Sequence, residues 1–100
     1  FENSDFGAIG LESSFGALNS LLGLNKTIEI MNSSYEVFNL SRPTIKIGNE
    51  AKISMFDPAE KYIFSKKNIY SSSKNSSFLN TEIKGISKGI ISSSKVHIVE

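Results

Sequence analysis

The sequence contains no cysteine and only one histidine among its 100 residues. Without cysteine, the chain can form no disulfide, no thiol nucleophile and no cysteine-ligated zinc finger. The lack of cysteine also suits a reducing compartment. A single histidine supplies too few converging groups for a metal site or an acid–base triad. Both shortages therefore argue against a complete reactive centre within this sequence.

Long apolar runs are also missing. No run approaches the ~18 residues that a membrane-spanning helix needs, and no basic segment followed by an apolar one indicates a leader peptide. We therefore predict a soluble, cytoplasmic chain that has no membrane partner. The sequence starts with Phe1 rather than with methionine, so we expect it to begin inside a longer polypeptide.

The chain has little net charge, but its charged residues are unevenly distributed along the sequence. The net charge is +1, and 39% of the residues are hydrophobic, which is typical of one small globular domain. Residues 1–60 hold four basic and eight acidic side chains, whereas residues 61–100 hold seven lysines and two glutamates. The basic segment 61–100 could bind an anionic polymer. Its lysines are scattered, however, and it contains no arginine, so we predict no nucleic-acid partner.

The first third of the chain has the apolar spacing of helices. Leu11, Phe15, Leu18 and Leu22 recur every three or four residues, which predicts one buried helical face ending at Gly23. A second short helix capped by Thr27 and a third starting in the Ser33–Glu36 capping box follow in this prediction.

The remainder has the alternating pattern of strands. The stretches "TIKI", "KISMF" and "KYIF" predict three strands separated by turns at Gly48-Asn49 and Asp57-Pro58. Residues 65–82 are rich in serine and lysine, which indicates a loop, and the stretches "EIKGISKGII" and "KVHIV" predict a hairpin around Ser92–Ser94. Helices followed by strands indicate an α+β fold. Short strands with one apolar face need a covering partner, so the isolated chain is expected to self-associate.

No side chain stands out as a reactive group. His97 alternates with Val96 and Ile98 and is expected to face solvent from a strand. Glu12 lies where a negative charge favours a helix N-terminus, which we prefer to a catalytic carboxylate pair with Glu2 or Asp5. The sequence "GAIG" lacks the strand and spacing of a phosphate-binding loop. Gly7, next to an aromatic residue and ahead of a helix, allows a close approach of the backbone to a ligand or neighbour.

Two stretches resemble bacterial dihydroorotases. "FGAIGLESSFGAL" resembles the F-G-x-x-G-L-E-T start of a helix in that family. The segment from "FDP" to "KGI" resembles the family's C-terminal stretch, in which S-K-S-K-N-T-P-F-x-G lies between an F-D-P turn and a K-G strand. The order and spacing of the two motifs also match. The departures leave open whether the parent protein is an active enzyme: Ser13 replaces threonine, Ser76-Ser77 replaces Thr-Pro, Asn80 replaces glycine, and Ala51-Lys52-Ile53 replaces A-D-L.

The resemblance implies a fold and an activity. Dihydroorotases of this type are zinc-dependent amidohydrolases of pyrimidine biosynthesis that reversibly cyclise N-carbamoyl-L-aspartate to dihydroorotate. They combine a metal-binding, TIM-like barrel with a small β-sandwich. On this basis residues 1–40 correspond to the last barrel loop and helices, and residues 41–100 to antiparallel strands of the C-terminal β-sandwich. The family's zinc ligands and catalytic aspartate precede the matched region, so the chain would carry neither zinc nor a catalytic residue.

The resemblance also implies a substrate contact. In the family, the main chain of the F-G pair in the last barrel loop contacts the substrate, and the matching residues are Phe6 and Gly7. The opposing interpretation is that Gly7 only permits a turn. Lys74, Asn75 and Phe78 are expected to join the sandwich segment to the barrel, without any chemistry of their own.

The preferred prediction is the C-terminal part of a dihydroorotase, inactive by itself, with the rest of the parent chain as its partner. The small-molecule substrate would bind through the parent's active site. The alternative is a noncatalytic dihydroorotase-like subunit or a stand-alone interaction module.

Overall fold

The computed structural model describes residues 7–99. Two helices, α1 (Ser14–Leu22) and α2 (Leu24–Val37), precede three strands, β1 (Lys52–Ile63), β2 (Glu82–Ser92) and β3 (Lys95–Ile98). A single 3-10 turn, Lys66–Asn68, lies in the long connection between β1 and β2. The strands form an antiparallel sheet in the order β1-β2-β3. The predicted α+β arrangement, with helices first and strands after, is thereby confirmed.

Gly23 separates the two helices, as its position after the apolar pattern predicted. Its φ of 79° lies in the left-handed region, and its N–H donates to the carbonyl of Asn19 at 3.1 Å. The prediction of two short helices after Gly23 was wrong, because α2 runs without a break. The hydroxyls of Thr27 and Ser33 donate to the carbonyls of Gly23 (2.7 Å) and Ile30 (2.6 Å). These bonds tie the hydroxyls to preceding helical turns instead of capping new ones.

The predicted strand around Ile45 and Ile47 is wrong. Residues 40–51 form neither helix nor strand, and both isoleucines are fully or almost fully exposed. Alternation alone does not create a strand where no neighbouring strand accepts its hydrogen bonds. The predicted turn at Gly48-Asn49 is present, since the Asn49 N–H donates to the carbonyl of Lys46 at 3.1 Å.

Strand β1 continues through Asp57-Pro58, where a break was predicted. The pairing register with β2 shifts between Met55 and Phe56 and again between Asp57 and Lys61. These β-bulges accommodate the proline within the strand. The carboxylate of Asp57 accepts hydrogen bonds from the N–H groups of Ala59 and Glu60, at 2.9 and 3.2 Å. Proline is tolerated because β1 is an edge strand in the described sheet.

The predicted C-terminal hairpin is confirmed. Strands β2 and β3 pair from Gly89 with Ile98 to Ser92 with Lys95, around a two-residue turn. Ser93 in that turn has a φ of 57°, the left-handed conformation that two-residue hairpins demand.

Helix α1 packs on strand β2 at a point where both have glycine. A Cβ on Gly16 would lie 2.7 Å from Cδ1 of Ile83 and 2.8 Å from the carbonyl oxygen of Gly85. A Cβ on Gly85 would lie 2.9 Å from the ring of Phe15, which stacks on Phe56 with centroids 4.0 Å apart. The helix therefore contacts the backbone of the sheet directly.

Polar groups of α1 complete this contact. The side-chain amide of Asn19 is buried and donates to the carbonyls of Lys84 (2.7 Å) and Pro58 (3.0 Å). The hydroxyl of Ser20 accepts a hydrogen bond from the N–H of Lys84 at 2.7 Å. The face of α1 that is buried consists of Phe15, Gly16, Ala17 and Asn19. The predicted apolar face was therefore right only at Phe15 and the half-buried Leu18, since Leu11 is 84% exposed.

Candidate functional site

The two residues with a predicted substrate contact lie at the start of the chain. Phe6 is outside the described residues, and Gly7 is the first residue inside them. Gly7 is exposed and has a φ of 81°, and an added Cβ would meet no atom within 4 Å. Glycine is favoured here by backbone conformation, not by crowding. Gly7 thus lies at the surface in a left-handed backbone conformation.

Asn75 holds the loop that contains Gly7. Its side-chain amide donates a hydrogen bond to the carbonyl of Gly7, and its main-chain carbonyl accepts one from the N–H of Ile9 at 2.8 Å. The partners are more than sixty residues apart in sequence. Asn75 therefore connects the C-terminal half of the chain to the loop before α1.

Glu12 ties the same two regions together by a second route. One oxygen of its carboxylate, Oε1, accepts hydrogen bonds from the N–H of Tyr70 (3.2 Å), the N–H of Ser71 (2.7 Å) and the hydroxyl of Ser71 (2.5 Å). The bond from the Ser71 hydroxyl is the main cause that lowers the pKa of Glu12, with partial burial opposing it and main-chain N–H groups adding to it.

The structure gives Glu12 a different role from the one predicted. The carboxylate serves the loop at residues 70–71 instead of the N-terminus of α1. Its second oxygen, Oε2, is buried without a hydrogen-bond partner among the described residues. Glu2 and Asp5, the other members of the rejected carboxylate pair, lie outside the described residues.

Lys74 and Phe78 stabilise the loop from which Asn75 projects. The ammonium of Lys74 donates to the carbonyls of Ile69 (2.8 Å) and Ser71 (2.9 Å). Phe78 packs against the core cluster formed by Phe64, Ile69 and Ile83. Both residues therefore stabilise their own part of the chain, and their predicted role in joining a sandwich segment to a barrel stays a prediction.

An apolar groove opens next to Glu12. It has a volume of about 480 Å³ and lies between α1 and strands β1 and β2, with Phe15, Phe56, Tyr62, Tyr70 and Ile86 among its lining residues. Partial burial, with a smaller contribution from Glu60, raises the pKa of the Tyr62 hydroxyl. Aromatic and aliphatic side chains dominate the walls, so the groove is suited to apolar contact.

The described residues offer no metal centre of their own. Within residues 7–99, no three side chains of histidine, cysteine, aspartate or glutamate lie close enough together to hold a metal ion. His97 is exposed on β3, as predicted. In the same part of the chain, none of the helices has the length and apolarity required to cross a membrane.

Comparison with known proteins gives a consistent set of relatives. A protein of Endomicrobium trichonymphae named Dihydroorotase is 38% identical over 93 residues, which is 85% of this chain and 22% of the relative. The corresponding protein of Clostridium acetobutylicum is 33% identical over 103 residues, covering 96% of this chain and 24% of its own length. That of Chlorobaculum tepidum is 28% identical over 102 residues, covering 95% and 23%.

The matches cover most of this chain but only a small part of each relative. No protein-family model matches the chain, but six curated relatives are named Dihydroorotase. The chain spans only about a fifth to a quarter of the length of the relatives that it matches. The similarity covers both the loop before α1 and the segment around Asn75 as parts of one alignment of nearly full chain length. Along most of its sequence, the chain is therefore a relative of bacterial dihydroorotases, which confirms the resemblance that its two motifs suggested.

Proposed function

We propose that the chain is the C-terminal portion of a dihydroorotase or dihydroorotase-like protein of pyrimidine biosynthesis, acting in the cytoplasm. The complete protein would reversibly cyclise N-carbamoyl-L-aspartate to dihydroorotate. The observation that supports this most directly is the similarity to dihydroorotases over 79–96% of the chain. In this proposal residues 1–40 end a barrel, and residues 41–100 contribute strands to a β-sandwich.

The contribution of this chain to the reaction is a main-chain contact. Gly7 is exposed and has a left-handed φ, and backbone groups of a fixed loop can orient a small amide ring without a charged side chain. We assign Phe6 and Gly7 this substrate-binding role. The chain supplies no catalytic side chain, so by itself it would be inactive.

Zinc belongs to the rest of the protein in this proposal. Residues 7–99 do not bring together the donor side chains that a zinc ion needs. The described residues do not fit the metal, and no step of the proposal passes through a metal held by this chain.

The proposal is tested with the complete protein that contains this sequence, assayed for ring closure of N-carbamoyl-aspartate beside the isolated chain supplied with zinc. Activity of the complete protein and none of the chain is expected. The Gly7→Ala variant of the complete protein should raise KM about tenfold, because a non-glycine residue in the left-handed region costs roughly 1–2 kcal/mol.

Gly10→Ala is the matched control for Gly7→Ala. Gly10 lies in the same loop, has no left-handed φ, and an added Cβ would meet nothing within 4 Å. An inactive complete protein would refute the proposed activity. Ring closure by the isolated chain would refute the assignment of catalysis to other parts of the protein, and equal KM values for both variants would refute the contact at Gly7.

A further inference from the structure

The hydrogen bonds described for residues 7–9 run to a single residue. Asn75 binds the carbonyl of Gly7 with its side chain and the N–H of Ile9 with its own carbonyl. The two bonds bracket Ala8 and hold the turn at both ends. No hydrogen bond to any other residue is described for this three-residue segment in residues 7–99.

The rest of the loop has little to hold it. Gly7, Ala8 and Gly10 are exposed, and an added Cβ on either glycine would meet no atom within 4 Å. Only Ile9, which is partly buried against the core cluster, is held by packing. Glycine also has the largest conformational freedom to lose, so the geometry of this turn depends on its hydrogen bonds.

Asn75, in contrast, projects from a well-fastened loop. The ammonium of Lys74 bridges two carbonyls of the same loop, and the carboxylate of Glu12 binds the loop at residues 70–71. The neighbouring Ser76 is buried. The donor that reaches Gly7 is thus fixed relative to the sheet and helix α1.

We propose that Asn75 is a positioning residue that sets the orientation of the Gly7 backbone toward the substrate. The inference rests on the proposed function of Gly7 as a substrate contact. It assigns to the asparagine side chain one specific task, which is to donate to the Gly7 carbonyl. Aspartate has the same shape but no donor when ionised, and it would place a negative oxygen against that carbonyl.

The experiment compares the wild-type complete protein with its Asn75→Ala and Asn75→Asp variants by steady-state kinetics. Loss of one hydrogen bond should raise KM by about three- to tenfold at nearly unchanged kcat. The Asn75→Asp variant should be at least as impaired as Asn75→Ala. If Asn75 acted through packing alone, the aspartate variant would instead behave like the wild type.

Ser77→Ala is the matched control, because Ser77 is exposed in the same loop, and it should leave KM unchanged. Hydrogen–deuterium exchange without substrate gives a second readout, in which both Asn75 variants should exchange faster at residues 7–10 than Ser77→Ala does. Wild-type KM in both Asn75 variants of an active enzyme, or unchanged exchange at residues 7–10, would overturn the inference alone. An inactive wild-type protein would overturn the proposed function and the inference together.

Discussion

Single residues connect regions of this chain that are far apart in sequence. Glu12 is the strongest case, because one carboxylate oxygen accepts two main-chain N–H groups and one hydroxyl from residues 70–71. Hydrogen bonds to an ionised acceptor are shorter and stronger than neutral ones. The negative charge of Glu12 is therefore part of what holds the loop of Asn75 in place.

Glu12→Gln should lower the free energy of unfolding by about 1 kcal/mol at neutral pH, a value reduced for partial exposure. The pKa of Glu12 is lowered in the folded state, so its charge stabilises the fold above the ordinary carboxyl value of 4.5. The difference between wild type and variant should shrink as the pH falls below that value, and vanish below the folded-state pKa.

The measurement is the melting temperature of both proteins from pH 7 down to the acid range. Glu29→Gln is the control, since Glu29 forms an exposed i,i+3 ion pair with Lys26, which is worth little. A pH dependence of the same size for Glu29→Gln would contradict the role of Glu12.

For single residues, the sequence predicted those features that depend only on neighbouring residues in the chain. The exposed position of His97 follows from neighbouring residues alone. The partners of Glu12 were out of reach, because a helix N-terminus lies next to it in sequence and Ser71 lies 59 residues away. The family motif indicated that Asn75 links distant parts of the chain, but only the structure shows that its amide binds the carbonyl of Gly7.

Among the secondary-structure elements, α1 and β2 are in close contact. Gly16 and Gly85 allow the backbone of the helix to lie directly against that of the strand. The buried amide of Asn19 then satisfies carbonyls of Lys84 and Pro58, which would otherwise lie unpaired beneath the helix.

Gly16→Ala should destabilise the chain by about 1–3 kcal/mol, since the new methyl group would lie 2.8 Å from a backbone oxygen that cannot move independently. Helix propensity alone predicts the opposite, a gain of about 1 kcal/mol. Chemical denaturation measures the difference, with Gly10→Ala as a control in open space. A stabilised Gly16→Ala variant would show that helix and strand are not in close contact.

The order of the elements could be predicted from periodicity, but several of their limits could not. The apolar spacing of the first third predicted helices, Gly23 predicted the end of the first one, and the pattern of the last residues predicted the hairpin. The strand expected at Ile45 and Ile47 failed because alternation does not supply a pairing partner. The break expected at Pro58 failed because bulges and an edge position accommodate proline. The buried face of α1 was predicted only in part, because Gly16 and Gly85, not a row of leucines, determine which side of the helix meets the sheet.

The molecule as a whole exposes more surface than its size requires. Its accessible area is 7892 Å², about 40% above the ~5,600 Å² expected of a compact protein of its mass. The radius of gyration is 15.5 Å, against about 13 Å for a compact 100-residue domain. Large apolar side chains are exposed at the end of α2 and after it, including Val37, Phe38, Leu40, Ile45 and Ile47.

The isolated chain is therefore expected to self-associate, because apolar patches of this extent are normally covered by a partner. Light scattering after size exclusion should show a mass above 11.0 kDa that rises with concentration. Replacing Phe38 and Leu40, which are 71% and 59% exposed, by serine should reduce association without unfolding the chain. A monomer at high concentration with a cooperative melting transition would contradict this expectation.

The same exposed surface has a calorimetric consequence. The heat capacity of unfolding grows with the apolar area that unfolding newly exposes, and here a large part of that area already faces water in the folded chain. The heat-capacity change of unfolding should therefore be smaller than the ~1.2–1.5 kcal/mol/K of a compact 100-residue domain. The stability curve of the chain is then flatter with temperature, and its urea dependence is correspondingly shallow.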